Sequence, residues 1–271
     1  MIKRTLAAGL AVASLAIGAT SASAAVINLG FSLDESGSVG STNFNTTRDA
    51  LADALAAIPT SGANQYRVAI TTFSRSTNQN VVVQPTIVTA QNLATIQQTL
   101  KDETYTGGGT ETDDAINLLA NIFTPFKDDT TLFNITTDGA PGSQSATEAA
   151  ALAAFNDFVD GISFEAVGSG INRPSALANM ARIAGLGTAG DAMNGVVLAQ
   201  GAAIPDASTT GFVIPVLTFA DYEAAIKAKI GQIVIDTGGG NPNVVPLPAG
   251  LPLLIVGLGA FGLMRRRQNA A

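Results

Sequence analysis

The residues of this chain with the most evident chemistry are Asp34, Ser36 and Ser38, in the run Asp34-Glu35-Ser36-Gly37-Ser38. They follow an apolar stretch from Val26 to Leu33 that reads as a buried strand, and they precede a helical pattern beginning near Thr42. A carboxylate and two hydroxyls thus stand at alternate positions on the turn leaving a strand's carboxyl end, where ligands bind in open α/β sheets. Oxygen donors of this kind are hard ligands, suited to Mg²⁺ or Mn²⁺. With neutral hydroxyls balancing few carboxylates, a bound ion would keep net positive character and could accept a carboxylate from a partner. The same residues have ordinary structural uses as well. Asp34 and Ser36 could form a helix cap and turn, and Ser38 could cap the helix.

The elements that must position these residues alternate along the chain. Strand patterns run from Val26 to Leu33, Tyr66 to Phe73, Val81 to Val88, Leu132 to Thr137, Ile162 to Val167 and Phe212 to Leu217. Helical patterns lie between them, with apolar faces at Phe44, Leu51, Leu55 and Ile58; at Leu93, Ile96 and Leu100; at Ile116, Leu119 and Phe123; and at Leu152, Phe155 and Val159. Pro174 stands near the first turn of a helix carrying Leu177 and Met180. Phe219, Tyr222, Ile226, Ile230 and Ile233 give the last helix the clearest stripe. The alternation predicts an α/β fold: a doubly wound, mostly parallel sheet of about six strands with helices on both faces. The second and third strands, joined by a short polar loop, could pair as an antiparallel hairpin at an edge. Pro215 suggests an edge or a bulge in the last strand. The stretch from Gly185 to Thr210 carries no clear pattern.

Two further pieces complete a constellation. Gly107-Gly108-Gly109-Thr110-Glu111-Thr112 is a glycine-rich loop before a helical pattern, and Leu132 to Gly139 is a strand ending on Asp138-Gly139. With Asp-x-Ser-x-Ser, these pieces in this order resemble the metal-ion-dependent adhesion site of von Willebrand factor type A domains. The resemblance covers roughly Ala25 to Thr237. It implies the Rossmann-like fold of that family and a metal site of Asp34, Ser36, Ser38, Thr110 and Asp138. Ser36 and Ser38 would ligate directly, Thr110 in some states, and Asp34 and Asp138 directly or through water. Each also has a plainer use: Thr110 or Thr112 could cap the following helix, and Asp138-Gly139 could be only a turn. Glu35, Glu111, Asp113 and Asp114 read as solvent-facing charges or as residues one step removed from the ion.

Composition excludes much else. Among 271 residues there is no cysteine and no histidine. Disulfides, thiolate zinc sites, Ser-His-Asp hydrolysis and the usual zinc and non-haem iron sites are therefore ruled out. No Walker A run is present, and no Gly-x-Gly-x-x-Gly opens a helix after the first strand. A phosphoryl-accepting Asp-x-Asp is also missing, because position 36 is serine.

The two ends read as sorting signals. Lys3-Arg4, an apolar stretch from Leu6 to Ile17 and Ala22-Ser23-Ala24 form a secretory signal over residues 1–24. The binding domain then spans 25–237, and a Gly/Asn/Pro linker spans 238–244. A sorting and transmembrane segment with a basic stop spans 245–267, and 268–271 form a tail. Leu247 to Met264 carries no charge and is about 27 Å long as a helix at about 1.5 Å per residue, just enough to span a bilayer. Arg265, Arg266 and Arg267 would stay on the cytoplasmic side. The Val-Pro-Leu-Pro-Ala run from Val245 to Ala249 resembles the C-terminal signals of the PEP-CTERM type, read by an exosortase-like membrane transpeptidase. Pro246-Leu247-Pro248 stands where that class has Pro-Glu-Pro.

Between Ala25 and Met264 lie nine basic residues against all 21 acidic ones, a net charge of −12. Such a domain repels nucleic acid and anionic lipid and would meet a polyanion only through a cation. The expectation is an exported binding or adhesion protein, not an enzyme, at the cell envelope or beyond. It would be held transiently in the membrane by its C-terminal segment. Through Mg²⁺ or Mn²⁺ it would engage an acidic group of a protein or polysaccharide, and it would not bind nucleic acid. The alternatives are a self-assembling matrix component and a Mg²⁺-dependent phosphoryl-transfer enzyme.

Overall fold

The computed structural model describes residues 24–239 apart from 76, 78, 172 and 188–194. The signal segment up to residue 23 and the sequence from 240 onward, with its proposed span and sorting motif, lie outside the described residues.

Strand β1 (Val26–Asp34) is the axis of the fold. Its odd-numbered residues Ile27, Leu29, Phe31 and Leu33 enter one hydrophobic core and are all but fully buried. From Asn28 on, its even-numbered positions point to the other face, as the two-residue period of a strand requires, and carry Asn28, Gly30, Ser32 and Asp34. Gly30 there lets the Phe123 and Phe133 rings and Leu119 approach closely on the other face.

The sheet adds β2 (Gln65–Phe73), β3 (Gln79–Ile87), β4 (Thr130–Thr137), β5 (Gly161–Val167), β6 (Val196–Val197) and β7 (Phe212–Val216), in the order β3-β2-β1-β4-β5-β7-β6. All neighbours are parallel except β2 and β3, which form the expected antiparallel edge hairpin. The seven strands exceed the expected six by β6, a two-residue strand inside the segment that carried no sequence pattern. Among the described residues β6 pairs only with Phe212 and Val213. Pro215 therefore lies beyond the end of β6, where its missing N–H leaves no ladder bond unmade.

Helices α1 (Gly40–Ala54), α2 (Leu93–Lys101) and α6 (Tyr222–Asp236) cover one face. Helices α3 (Thr112–Phe123), α4 (Gln144–Asp157) and α5 (Pro174–Ala184) cover the other. Pro174 opens α5 at its first position, as predicted. Helix α6 buries Tyr222, Ile226, Ile230 and Ile233, the expected stripe. Its end is a Schellman stop. Gly238 at φ +78° donates its N–H to the Ile235 carbonyl, and Gly239 donates to Val234. The first two glycines of the expected linker thus belong to the folded domain.

Helix α4 corrects an expectation. Leu152 is 45% exposed, and the buried face is Thr147, Ala150, Ala151 and Ala154. Small side chains let α4 lie close against α3 and turn the larger leucine to solvent.

Candidate metal-binding site

The chain winds from β1 through β2 to β3 on one side, then returns to place β4 on β1's other side. The carboxyl ends of β1 and β4 therefore flank a topological switch point, where loops diverge and leave a crevice. The first and third predicted loops leave from these two strand ends.

Asp34, the last residue of β1, is 3% exposed. Its Oδ1 accepts the Ser36 N–H at 2.7 Å, closing an Asx turn, and its Oδ2 accepts the Thr137 hydroxyl at 2.6 Å. That turn swings Ser36 and Ser38 back over the strand end. Their hydroxyls lie 3.0 Å apart, and Ser38 Oγ donates to Asp138 Oδ1 at 2.7 Å. Four of the five predicted residues are thus joined directly, two acids at the ends and two hydroxyls between. Ser38 is not a helix cap, because the cap position is Val39 and no side chain bonds there.

Thr110 reaches the site through its backbone. Its carbonyl accepts the Gly142 N–H at 2.7 Å, tying the second loop to the third. The Gly37 N–H donates to the Gly108 carbonyl at 2.9 Å, tying the first loop to the second. Among the described residues, no hydrogen bond joins the Thr110 hydroxyl to the chain of four. Neither Thr110 nor Thr112 caps α3: the cap residue is Glu111 without a side-chain bond, and Thr112 Oγ1 is buried with no partner. Gly108, at φ +148°, admits no other residue easily, since a Cβ there would stand 2.8 Å from Ser74 Oγ.

Two contributors were not singled out in the sequence, Thr137 and Ser74, and a third, Glu35, has a different role from the one expected. Thr137 holds the second oxygen of Asp34. Ser74 binds the glycine loop, accepting the Glu111 N–H at 2.8 Å and donating its hydroxyl to the Gly107 carbonyl at 3.0 Å. Glu35, expected to face solvent or stand one step from the ion, is 1% exposed. Its Oε2 accepts the Thr106 N–H at 3.1 Å, while the Tyr105 hydroxyl donates to the Ser36 carbonyl at 3.2 Å. Glu35 is therefore a strut between the first and second loops. Asp34 and Thr137 stand side by side one step beyond the paired Leu33 and Thr136. That adjacency is a fact of register, which only the β1–β4 neighbourhood supplies.

Burial dominates the electrostatics. It pushes the Asp34 carboxyl up from its ordinary 3.8 to about 6, against the pull of the Thr137 and Ser36 hydrogen bonds, and the nearby Asp138 charge adds to the rise. Burial also raises Asp138, with the Ser38 hydroxyl opposing, and raises Glu35, with Thr106 opposing. Among the described residues neither Asp34 nor Asp138 has a basic partner. Two desolvated acids beside hydroxyl oxygens and without a cation make a cluster that a small divalent ion would stabilise. Among the described residues no three acidic, histidine or cysteine side chains gather to hold a metal. At this rim hydroxyl oxygens would therefore supply part of any coordination, which fits a hard ion.

Comparison with known proteins agrees with this architecture. The von Willebrand factor type A domain profile matches residues 28–194. Similar solved structures include proximal thread matrix protein 1 from the mussel byssus, at 16% identity and a TM-score of 0.55, covering 76% of this chain and 46% of that one. One structure of that protein carries a zinc-occupied metal-ion-dependent adhesion site, at 17% identity and a TM-score of 0.54, with 76% and 46% covered. The pilus adhesin SpaC of Lactobacillus rhamnosus GG is similar at 13% identity and a TM-score of 0.57, covering 79% of this chain and 31% of that one. This chain spans less than half the length of each of these proteins, and at such identities the likeness is one of fold. No curated protein matches the chain. The profile match covers more than half of the sequence, and the sheet order, the switch point and the three converging loops agree with it: the chain belongs to the von Willebrand factor type A domain family.

Proposed function

We propose that the domain is a metal-dependent binding module. Asp34, Ser36, Ser38, Thr110 and Asp138 hold Mg²⁺ or Mn²⁺, and the ion supplies a positive centre for an acidic group on a protein partner or polysaccharide. The observation that carries this reading is the continuous Asp34–Ser36–Ser38–Asp138 arrangement at the switch point, with buried acids that have no basic partner among the described residues. The zinc-occupied site of the mussel matrix protein and the adhesin role of the pilus protein support it by analogy of fold. The protein's role is binding, not catalysis. His- and Cys-based chemistry is closed to it by composition.

The basic, apolar and Ala-x-Ala pattern at residues 1–24 supports export. The proline motif, apolar run and triple arginine from Val245 to Arg267 support transient membrane anchoring and processing by an exosortase-like transpeptidase at the cell envelope. Among the described residues no helix is long and apolar enough to cross a membrane, and this segment lies outside them.

Calorimetric titration with Mg²⁺ tests the metal reading. The wild-type chain is expected to bind with a stoichiometry of about one, as a single octahedral site requires. Asp34→Ala should abolish the heat while far-ultraviolet circular dichroism stays unchanged. Undiminished affinity in that variant would reduce the motif to a turn. Light scattering in the same solutions separates partner binding from self-assembly, because metal-induced growth in size would favour a matrix role.

A further inference from the structure

The metal-site reading leaves the ligand open, and the placement of the domain's few cations narrows it. Of the nine basic residues between Ala25 and Met264, Arg48, Arg67, Lys101, Arg182 and Lys229 are in ion pairs. Among the described residues Arg75, Lys127, Arg173 and Lys227 are in none. Lys127 precedes β4, at the rim opposite the site, and Lys227 lies within α6. Arg75 and Arg173 are both exposed, and both stand on loops at the rim that carries the site. Arg75 follows β2, and its backbone nitrogen would lie 3.1 Å from a Cβ at Gly108, the glycine whose carbonyl holds Gly37. Arg173 ends the loop after β5. Gly170 in that loop lies against the Asp138 carbonyl, which a Cβ there would meet at 2.3 Å.

The strand order β2-β1-β4-β5 places these two loops on either side of the two strands whose ends bear the site. Three steps at about 4.8 Å per strand separate them by roughly 14 Å. An extended peptide rises about 3.3 Å per residue, and its alternate side chains share one face, so positions i, i+2 and i+4 span about 13 Å. Farther along the rim, β7 ends beside Leu217, which is 51% exposed. There a cleft of about 280 Å³ opens between Leu198, Ile204, Ile214 and Val216. It has room for an apolar side chain, which a chain of sugar acids does not offer.

Building on the metal-site reading, we propose that the rim binds an extended peptide segment with carboxylates at alternate positions. The middle carboxylate faces the metal site, the outer two meet Arg75 and Arg173, and an apolar residue enters the cleft beyond. In a domain of net charge −12 these two guanidinium groups supply positive charge at this rim for an acidic peptide to meet.

The test uses the full chain and a synthetic peptide with aspartates at its first, third and fifth positions and leucine at its seventh. It is run against an isomer with the three aspartates contiguous and against an oligouronate of equal charge. The alternating peptide is expected to bind in Mg²⁺ and not in EDTA, and more tightly than either competitor. Arg75→Ala and Arg173→Ala should each weaken it about three- to five-fold and flatten the salt dependence. The proposal is overturned by wild-type protein that does not bind the alternating peptide, by arginine variants that bind it as tightly as wild type, or by a competitor that binds equally well. Asp34→Ala, titrated with Mg²⁺ alone, reports separately on the metal site. If it keeps its metal affinity, the underlying reading fails whatever the arginines do.

Discussion

In the proposed metal site Asp34 meets two opposed demands: its carboxylate would have to stay charged to hold a cation, and it is buried where charge is disfavoured. The consequence is a pH dependence of known sign. Without metal, the folded protein holds the Asp34 proton up to about pH 6, whereas an exposed aspartate releases it near 3.8. Between these values the folded state binds more protons than the unfolded one, so stability from this group is full below pH 3.8 and falls as pH rises toward 6. The loss is about 3 kcal/mol at neutral pH, at about 1.4 kcal/mol per pH unit. Asp138, raised by the same burial, acts in the same direction. A bound cation reverses the penalty. Mg²⁺ should therefore raise the melting temperature clearly at about pH 7.5 and hardly at all at about pH 5, where protons compete for the same oxygens. Scanning calorimetry at both values checks this, and an equal Mg²⁺ shift at both would contradict it. Glu35 offers a second test at this scale. Its acceptor bond from Thr106 predicts that Glu35→Gln keeps the glycine loop in place while Glu35→Ala frees it. Hydrogen exchange over residues 106–109 should be near wild type in the first and accelerated in the second. Asp34, Ser36 and Ser38 were legible because they lie within five residues of chain, whereas Thr137 and Glu35 act across strands or loops and depend on neighbours the local sequence does not name.

At the scale of elements, α6 is fastened to the sheet by more than its apolar stripe. Lys229 and Glu165 form a fully buried ion pair between α6 and β5. Thr136 on β4 joins it, 3.4 Å from Glu165 Oε2 and 2.8 Å from the Tyr222 hydroxyl. Burial lowers the Lys229 pKa and raises that of Glu165, and each charge opposes the other's shift. Removing one partner leaves a bare buried charge. Lys229→Met should therefore cost about 3–5 kcal/mol in urea unfolding, and adding Glu165→Leu should recover most of it. A single variant as stable as wild type would show that the pair contributes nothing. Lys229 lies in a helix whose apolar residues fall at spacings of three and four, so the helix was readable and its buried lysine was not. The same limit explains α4, where alanines rather than Leu152 form the buried face. Hydrophobicity names a helix's face only when its neighbour leaves room for large side chains. β6 was illegible for a simpler reason: two residues cannot show a period.

For the whole molecule, the proposed site lies at the carboxyl ends of the strands, while α6 runs back and ends at Gly238 and Gly239 near the start of β2. The last described residue, Gly239, thus lies at the rim opposite the site, and the proposed tether would turn the site outward. The proposed span from Leu247 to Met264 has 18 uncharged residues, just enough to cross a bilayer, and holds Pro248 and Pro252 toward its start. Processing near Ala249 is accordingly expected, and mass spectrometry of the mature protein should find a C-terminus there with the three arginines lost. Full-length protein persisting in the membrane would instead mark a one-pass anchor. The alternation of strands and helices made this architecture legible from sequence, because a doubly wound sheet is built of repeating βα units whose apolar patterns are local.

The three loops at the β1–β4 switch point are proposed to hold a hard divalent ion. Anomalous diffraction at the manganese edge, from crystals of the protein grown with Mn²⁺, tests this most directly. One dominant peak is expected at this rim, with the Ser36 and Ser38 hydroxyl oxygens at about 2.1–2.2 Å and Asp34, Thr110 and Asp138 bound directly or through one water. A peak elsewhere, or a map with none while Ser38 still donates to Asp138, would contradict it.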